Sequence, residues 1–269
     1  MQTKTLITLL AGCIIFLTSC FDTEEKIVIN KDNSGTYSLT MDMSKLLKMM
    51  SQMGKSKDGE KKEMQKKDSV IYFKSFVDTS TQLTAEEKEM IKDGSLHVKI
   101  NEQTNELKFV INLPFKKIQD LAYLRENYLK ALDKINLKDQ LNDKKKKEGD
   151  ENKQQKMPGD MSSNSKSLIP AQDSYKFTAA PGKISNKFIS KESFDKEITN
   201  DSTMQMLKGM SEVMGLITYK TVFILPRPVK HYTQGNNTVV SADKKTVTFK
   251  SDLNTLLKKP ESLEYELEY

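Results

Sequence analysis

The residues able to do chemistry are few and scattered. Two histidines, His97 and His231, stand far apart in a chain of 269 residues that has only two cysteines, Cys13 and Cys20. Zinc sites built from His and Cys need four ligands at short recurring spacings, and no such grouping occurs. There is no Gly-x-Ser-x-Gly elbow, no His-Glu-x-x-His helix and no Gly-rich phosphate loop. Paired acids such as Glu86 and Glu87 lie in a charged stretch where a solvated helix surface accounts for them. A two-carboxylate hydrolase can take its acids from distant segments, but the aromatic platforms that hold sugars are thin in a chain with no Trp. The reading is a protein that is not an enzyme, with no metal and no cofactor.

Composition narrows the partners. The net charge is +6, yet of 43 basic residues only Arg125 and Arg227 are arginines. Readers of nucleic acid depend on the planar guanidinium fork, so nucleic acid is not an expected partner. Methionine is the one unusual component. Six methionines fall between Met41 and Met64 and four between Met204 and Met214. Unbranched thioethers fill irregular gaps and line adaptable apolar surfaces. Met49, Met50, Met53, Met210 and Met214 are thus the candidate contacts for a lipid or other hydrophobic ligand, and the competing expectation is that they simply face the core.

The amino-terminal stretch carries an address. Lys4 precedes an apolar run of 12 residues, Leu6 to Leu17, and small residues then lead to Cys20. That order is a secretory signal peptide. At helical rise the run reaches about 18 Å, short of the ~30 Å hydrocarbon core of a bilayer. The quartet Leu17-Thr18-Ser19-Cys20 resembles the lipobox of bacterial lipoproteins. The resemblance implies cleavage before Cys20 and acyl chains, such as palmitate, on Cys20. The implied partner is the membrane, held through those chains. Two or three chains anchor a protein durably, where one does so only marginally. Asp22, Glu24 and Glu25 follow at once. Acids in that place resemble the surface-export signal of Bacteroidetes lipoproteins, and a solvated periplasmic spacer is the other reading. The implied location is the cell envelope, at the outer membrane, on its periplasmic or surface face.

The rest of the chain must supply a body of about 250 residues without a disulfide, large enough to hold itself together by packing. Lys26–Asn30 and Thr36–Met41 read as a hairpin through Asp32-Asn33-Ser34-Gly35. Asp42 or Ser44 caps a helix through Met53. A charged insertion spans 54–67, and a strand Ser69–Phe76 follows. Thr84 opens a short helix with an acidic first turn, which ends at Asp93-Gly94. Ser95–Asn101 and Glu106–Leu113 form the clearest hairpin, with His97 on its wet face. Residues 116–135 show an apolar stripe of Ile118, Leu121, Leu124, Tyr128, Leu132 and Ile135. Residues 136–172 are polar and read as a disordered loop. Order resumes with a strand near Ser174–Thr178, a Pro181-Gly182 turn, helical turns at Lys191–Ile198 and a helix from Asp201 to Met214. A strand Leu216–Leu225, a last hairpin through Ala242-Asp243-Lys244-Lys245 and an alternating tail from Ser262 to Tyr269 complete the chain.

The fold class is α+β, a curved and mostly antiparallel sheet built from hairpins with a few packed amphipathic helices. The layout, with Thr221–Pro226, Gly235 and Lys245–Phe249 near its close, resembles LppM-like bacterial lipoprotein domains. That resemblance implies an α+β fold around a curved antiparallel sheet and a lipid-binding role, and transfers no binding residue. The expected divisions are a signal peptide (1–19), an anchor and acidic spacer (20–25), a first α+β part (26–135), the polar loop (136–172) and a second α+β part (173–269) completing the same domain. The function expected is that of a membrane-anchored, non-catalytic module binding lipid or another hydrophobic ligand. The alternative is a scaffold subunit that binds another envelope protein.

Overall fold

The computed structural model describes residues 19–45, 47–48, 66–101, 103–135, 171–200, 204–205, 208–209, 211, 216–235 and 237–269. The first half supplies five strands of the larger sheet. β1 (Ser19–Ile29), β2 (Gly35–Asp42), β3 (Lys67–Tyr72), β4 (Ser95–Asn101) and β5 (Glu106–Phe115) are joined by α1 (Lys74–Thr79) and α2 (Ala85–Ile91), and α3 (Asp120–Lys134) follows. Among them β2 pairs with β5 and not with β3. The second half supplies β6 (Tyr175–Ala180), β7 (Lys183–Phe188), α4 (Lys191–Asn200), β8 (Leu216–Ile224), β9 (His231–Tyr232), β10 (Thr238–Val240), β11 (Thr246–Asp252), α5 (Leu253–Lys258) and β12 (Tyr265–Glu268). The class is α+β, as the residue patterns require. The strands divide into two sheets, ordered β10-β11-β8-β1-β2-β5-β4-β3 and β6-β7-β12-β9.

Alternation explains the larger sheet. In β2, Tyr37, Leu39 and Met41 turn inward while Thr36, Ser38 and Thr40 stay half-exposed. In β4 and β5, Leu96, Val98 and Ile100 meet Ile111, Phe109 and Leu107 across the ladder. All six stripe residues of the α3 region are buried against this face. β1 pairs antiparallel with β2 and, on its other edge, parallel with β8, from Ser19↔Leu216 to Val28↔Ile224. That parallel pair joins the two halves of the chain within the larger sheet. The sheets meet through aromatics: Tyr265 of β12 stacks on Phe249 at 4.9 Å and meets Phe223 edge-on at 5.4 Å.

Several boundaries differ from the sequence reading. β1 starts at Ser19 rather than Lys26, because Asp22 to Glu25 find partners in both neighbouring strands. The expected strand Ser69–Phe76 stops at Tyr72. Phe73 and Val77, four apart, fill the space under the sheet as one helical face, and the Val77 N–H donates to Phe73 O at 3.0 Å. β7 and α5 were not expected. In β7 three successive residues, Ile184, Ser185 and Asn186, are buried, so no alternation marks it. α5 is started by Asp252, whose carboxylate accepts from Thr255 N at 2.9 Å.

Candidate functional site

Cys20 lies in β1, one residue after the strand begins. The five candidate methionines, Met49, Met50, Met53, Met210 and Met214, all fall outside the described residues, as do the charged stretch at 54–65 and most of the polar loop. The three acids after Cys20 are built into the sheet. Asp22 accepts from the Thr218 hydroxyl, Glu24 pairs with Lys220 at 2.5 Å, and Glu25 turns inward to Arg125.

The Glu25–Arg125 pair is the polar centre of the interior. Arg125 donates through Nε to Glu25 Oε1 at 2.6 Å and through Nη2 to Oε2 at 3.3 Å, and both side chains are 5% exposed or less. Glu25 comes from β1 and Arg125 from α3. The guanidinium also lies 4.8 Å from the Phe177 ring of β6, so the pair spans the space between the two sheets. Burial alone would penalise the guanidinium charge, but the adjacent Glu25 carboxylate outweighs it and holds the Arg125 pKa above its ordinary value. The tyrosines around the pair move the other way for ionisation. Burial, reinforced by the Glu25 charge, raises Tyr37 and Tyr128, and burial alone raises Tyr219.

Beside the pair is a small cavity of about 30 Å³ between the sheets. Four buried polar atoms on its wall, Thr23 Oγ1, Tyr219 OH, Tyr265 OH and Asn186 Oδ1, have no hydrogen-bond partner among the described residues. Space of that size fits one or two waters, and buried hydroxyls are ordinarily matched by such partners. It is far below the roughly 300 Å³ at which ligand pockets begin.

A second, open cleft of about 440 Å³ lies where three connections meet. Lys31 and Asn33 come from the β1–β2 turn, Pro181 from the β6–β7 turn, and Pro226 and Arg227 from the segment after β8. Asn33 and Gly182 hold positive φ, 64° and 82°. At Gly182 that φ is one that L side chains rarely adopt, and a Cβ there would also sit tightly against Tyr269 O, at 3.3 Å. The Arg227 guanidinium sits 5.7 Å from the Tyr269 ring. No residue pattern points to a pocket at this place; the one signal available is that Arg227 is one of two arginines in a lysine-rich chain.

Among the described residues no three His, Cys, Asp or Glu side chains come together in a way that could hold a metal ion. His97 Nε2 lies 2.6 Å from Asp68 on the half-exposed outer face of the larger sheet, and His231 opens the short strand β9 at the edge of the smaller one. None of the described helices is long and apolar enough to cross a membrane. No family model, curated protein or solved structure matches the chain.

Proposed function

We propose that the protein is a lipid-anchored, non-catalytic scaffold of the cell envelope that binds another envelope component at the end of the fold remote from Cys20. One observation carries this reading. β1 begins beside Cys20, crosses the centre of the larger sheet in 11 residues and delivers the turn that lines the open cleft. At strand rise that is about 35 Å. An anchor on Cys20 therefore leaves the cleft at the far end of the sheet's central strand.

The lipid-carrier reading draws less support from the described interior. The space between the sheets is filled by Phe223, Phe249 and Tyr265, and the small cavity beside them is walled by hydroxyls and the Glu25–Arg125 pair. An acyl chain would have to be held by the methionine-bearing segments at 49–53 and 210–214.

Labelling cells with radioactive palmitate tests the anchor. The wild-type chain should incorporate label and stay with membranes after a high-salt wash, and Cys20→Ser should lose both properties. Retention of Cys20→Ser in washed membranes would remove the anchor. Native mass spectrometry of the purified protein after incubation with envelope lipids tests the ligand. A bare protein mass is the expected result; a stoichiometric lipid adduct would replace the scaffold reading with a lipid carrier.

A further inference from the structure

The geometry points to an oxyanion site in the open cleft: the envelope component bound there presents a carboxylate or phosphate group to Arg227 and Lys31. This inference rests on the reading that the cleft end of the fold is the binding end, and it names the chemistry of what binds.

Charge is the first argument. Two cations and no acid line the cleft. The acids nearby are turned onto other partners. Asp32 accepts from Ser34 N at 3.0 Å and Ser34 Oγ at 2.7 Å, Glu268 accepts from Lys183 at 2.9 Å, and Asp243 accepts from Ser241 Oγ at 2.5 Å and Lys245 N at 3.0 Å. Lys230 and the Lys244–Lys245 turn are exposed at the same end, where Lys244 O and Lys245 O accept from Val229 N and Leu225 N at 2.8 Å. The exposed cations at this end, Lys31, Arg227, Lys230, Lys244 and Lys245, outnumber Asp32 and Asp243, which keep their charge, while Glu268 is paired with Lys183. The local field is therefore positive, and a concave positive surface concentrates anions.

Shape and preorganisation are the second. The volume falls in the range of small-ligand sites. The ring of Tyr269 supports the Arg227 guanidinium, and the Tyr269 backbone N–H is fixed to Gly182 O at 2.9 Å. A planar fork held this way suits two-point recognition of a carboxylate or phosphate, which a lysine cannot reproduce. The contrast with Arg125 is instructive, because that fork is already spent on Glu25. Arg227 is exposed, and no acid is among the described residues that line the cleft with it.

Thermal unfolding of the full-length protein, purified from membranes in a non-ionic detergent, reads the site through ligand stabilisation. Inorganic phosphate and acetate are the probes, titrated at constant ionic strength with sodium chloride as the balance. A saturable rise in Tm is expected, larger with phosphate if the natural group is a phosphate and larger with acetate if it is a carboxylate. Arg227→Gln should weaken the apparent affinity on the order of ten-fold or more, Lys31→Gln by less, and Arg227→Lys should recover only part. Each variant without ligand should unfold as the wild type does, since both side chains are exposed. A Tm that follows ionic strength alone, or an anion response unchanged in Arg227→Gln, overturns the site. The palmitate and fractionation results do not depend on this titration, so loss of the oxyanion site and loss of the anchor are separately visible.

Discussion

The two arginines show how residue type is allotted by environment. Where a cation must be buried, lysine is the poorer choice, because desolvation neutralises it readily while arginine keeps its charge. Arg125 is the buried case. Removing one member of a buried pair leaves the other charge uncompensated, at about 3–5 kcal/mol, whereas replacing both with apolar residues is often close to neutral. Arg125→Met should therefore destabilise the fold by about 3–5 kcal/mol, and adding Glu25→Leu should recover much of that loss. Urea unfolding of the two variants checks the order. Equal destabilisation by the single and double changes would mean that the pair contributes through shape and not charge. The same chemistry recasts the acids after Cys20. Glu25 holds the interior together, so changing it alters stability before it alters any sorting signal the acids carry.

At the scale of elements, each turn of secondary structure rests on local chemistry that the sequence displays to differing degrees. α2 is the most legible. The Thr84 hydroxyl accepts from Glu87 N at 3.2 Å, Thr84 N donates to Glu87 Oε2 at 2.9 Å, and Lys134 of α3 reaches Glu87 Oε1 at 2.5 Å. Thr84→Ala should cost about 1 kcal/mol in urea unfolding, the usual worth of such a cap. The Lys134 hydrogen bond, then the Thr84 N–H, lowers the Glu87 pKa. A lowered carboxylate stabilises above its unfolded pKa and loses that contribution as pH falls through its folded value. The stability gap between wild type and Glu87→Gln should accordingly be full at neutral pH and close on the acid side of the ordinary glutamate range; a gap that persists in acid would mean that the carboxylate charge is not its source. Hairpins β1–β2, β4–β5 and β10–β11 were legible for the same reason, since polar and apolar residues alternate along them. β7 was not, because burial on both faces erases alternation. The interior pair was half-visible: Arg125 follows Leu121 by four residues within the α3 stripe, and Glu25 is in phase with Ile27 and Ile29 of β1. What no local pattern discloses is that these two faces meet, or that Lys31 and Arg227, nearly 200 residues apart, line one cleft. Those facts are set by the parallel β1–β8 pairing.

For the whole molecule, the two sheets are joined across an interior unusually rich in tyrosine, and this fixes how the fold responds to alkali. Tyr37, Tyr128, Tyr219 and Tyr265 are each 5% exposed or less. Burial raises the pKa of all four, with Glu25 adding to the effect at Tyr37 and Tyr128. In the unfolded chain each ionises near pH 10; in the fold each keeps its proton above that. The unfolded state therefore binds fewer protons, and stability falls with rising pH from the unfolded pKa upward. Each such tyrosine removes about 1.4 kcal/mol per pH unit, and four together remove about 5–6 kcal/mol. Set against the ~5–15 kcal/mol that holds a typical domain, unfolding should be complete within roughly one to three units above pH 10. Lys183, raised by its hydrogen bonds to Glu266 and Glu268, loses its contribution in the same direction. Circular dichroism and the tyrosinate absorbance of the buried tyrosines, the part that exposed residues such as Tyr72 do not supply, should change together in one cooperative transition when followed in alkaline steps. Tyr219→Phe, which removes a hydroxyl that has no hydrogen-bond partner among the described residues, should reduce the steepness of that transition by about 1.4 kcal/mol per pH unit. Tyrosinate absorbance that rises near pH 10 for all nine tyrosines while the circular dichroism stays native would mean that the inter-sheet space admits hydroxide and water freely. The two sheets would then be held by the Glu25–Arg125 bridge rather than by a dry aromatic layer.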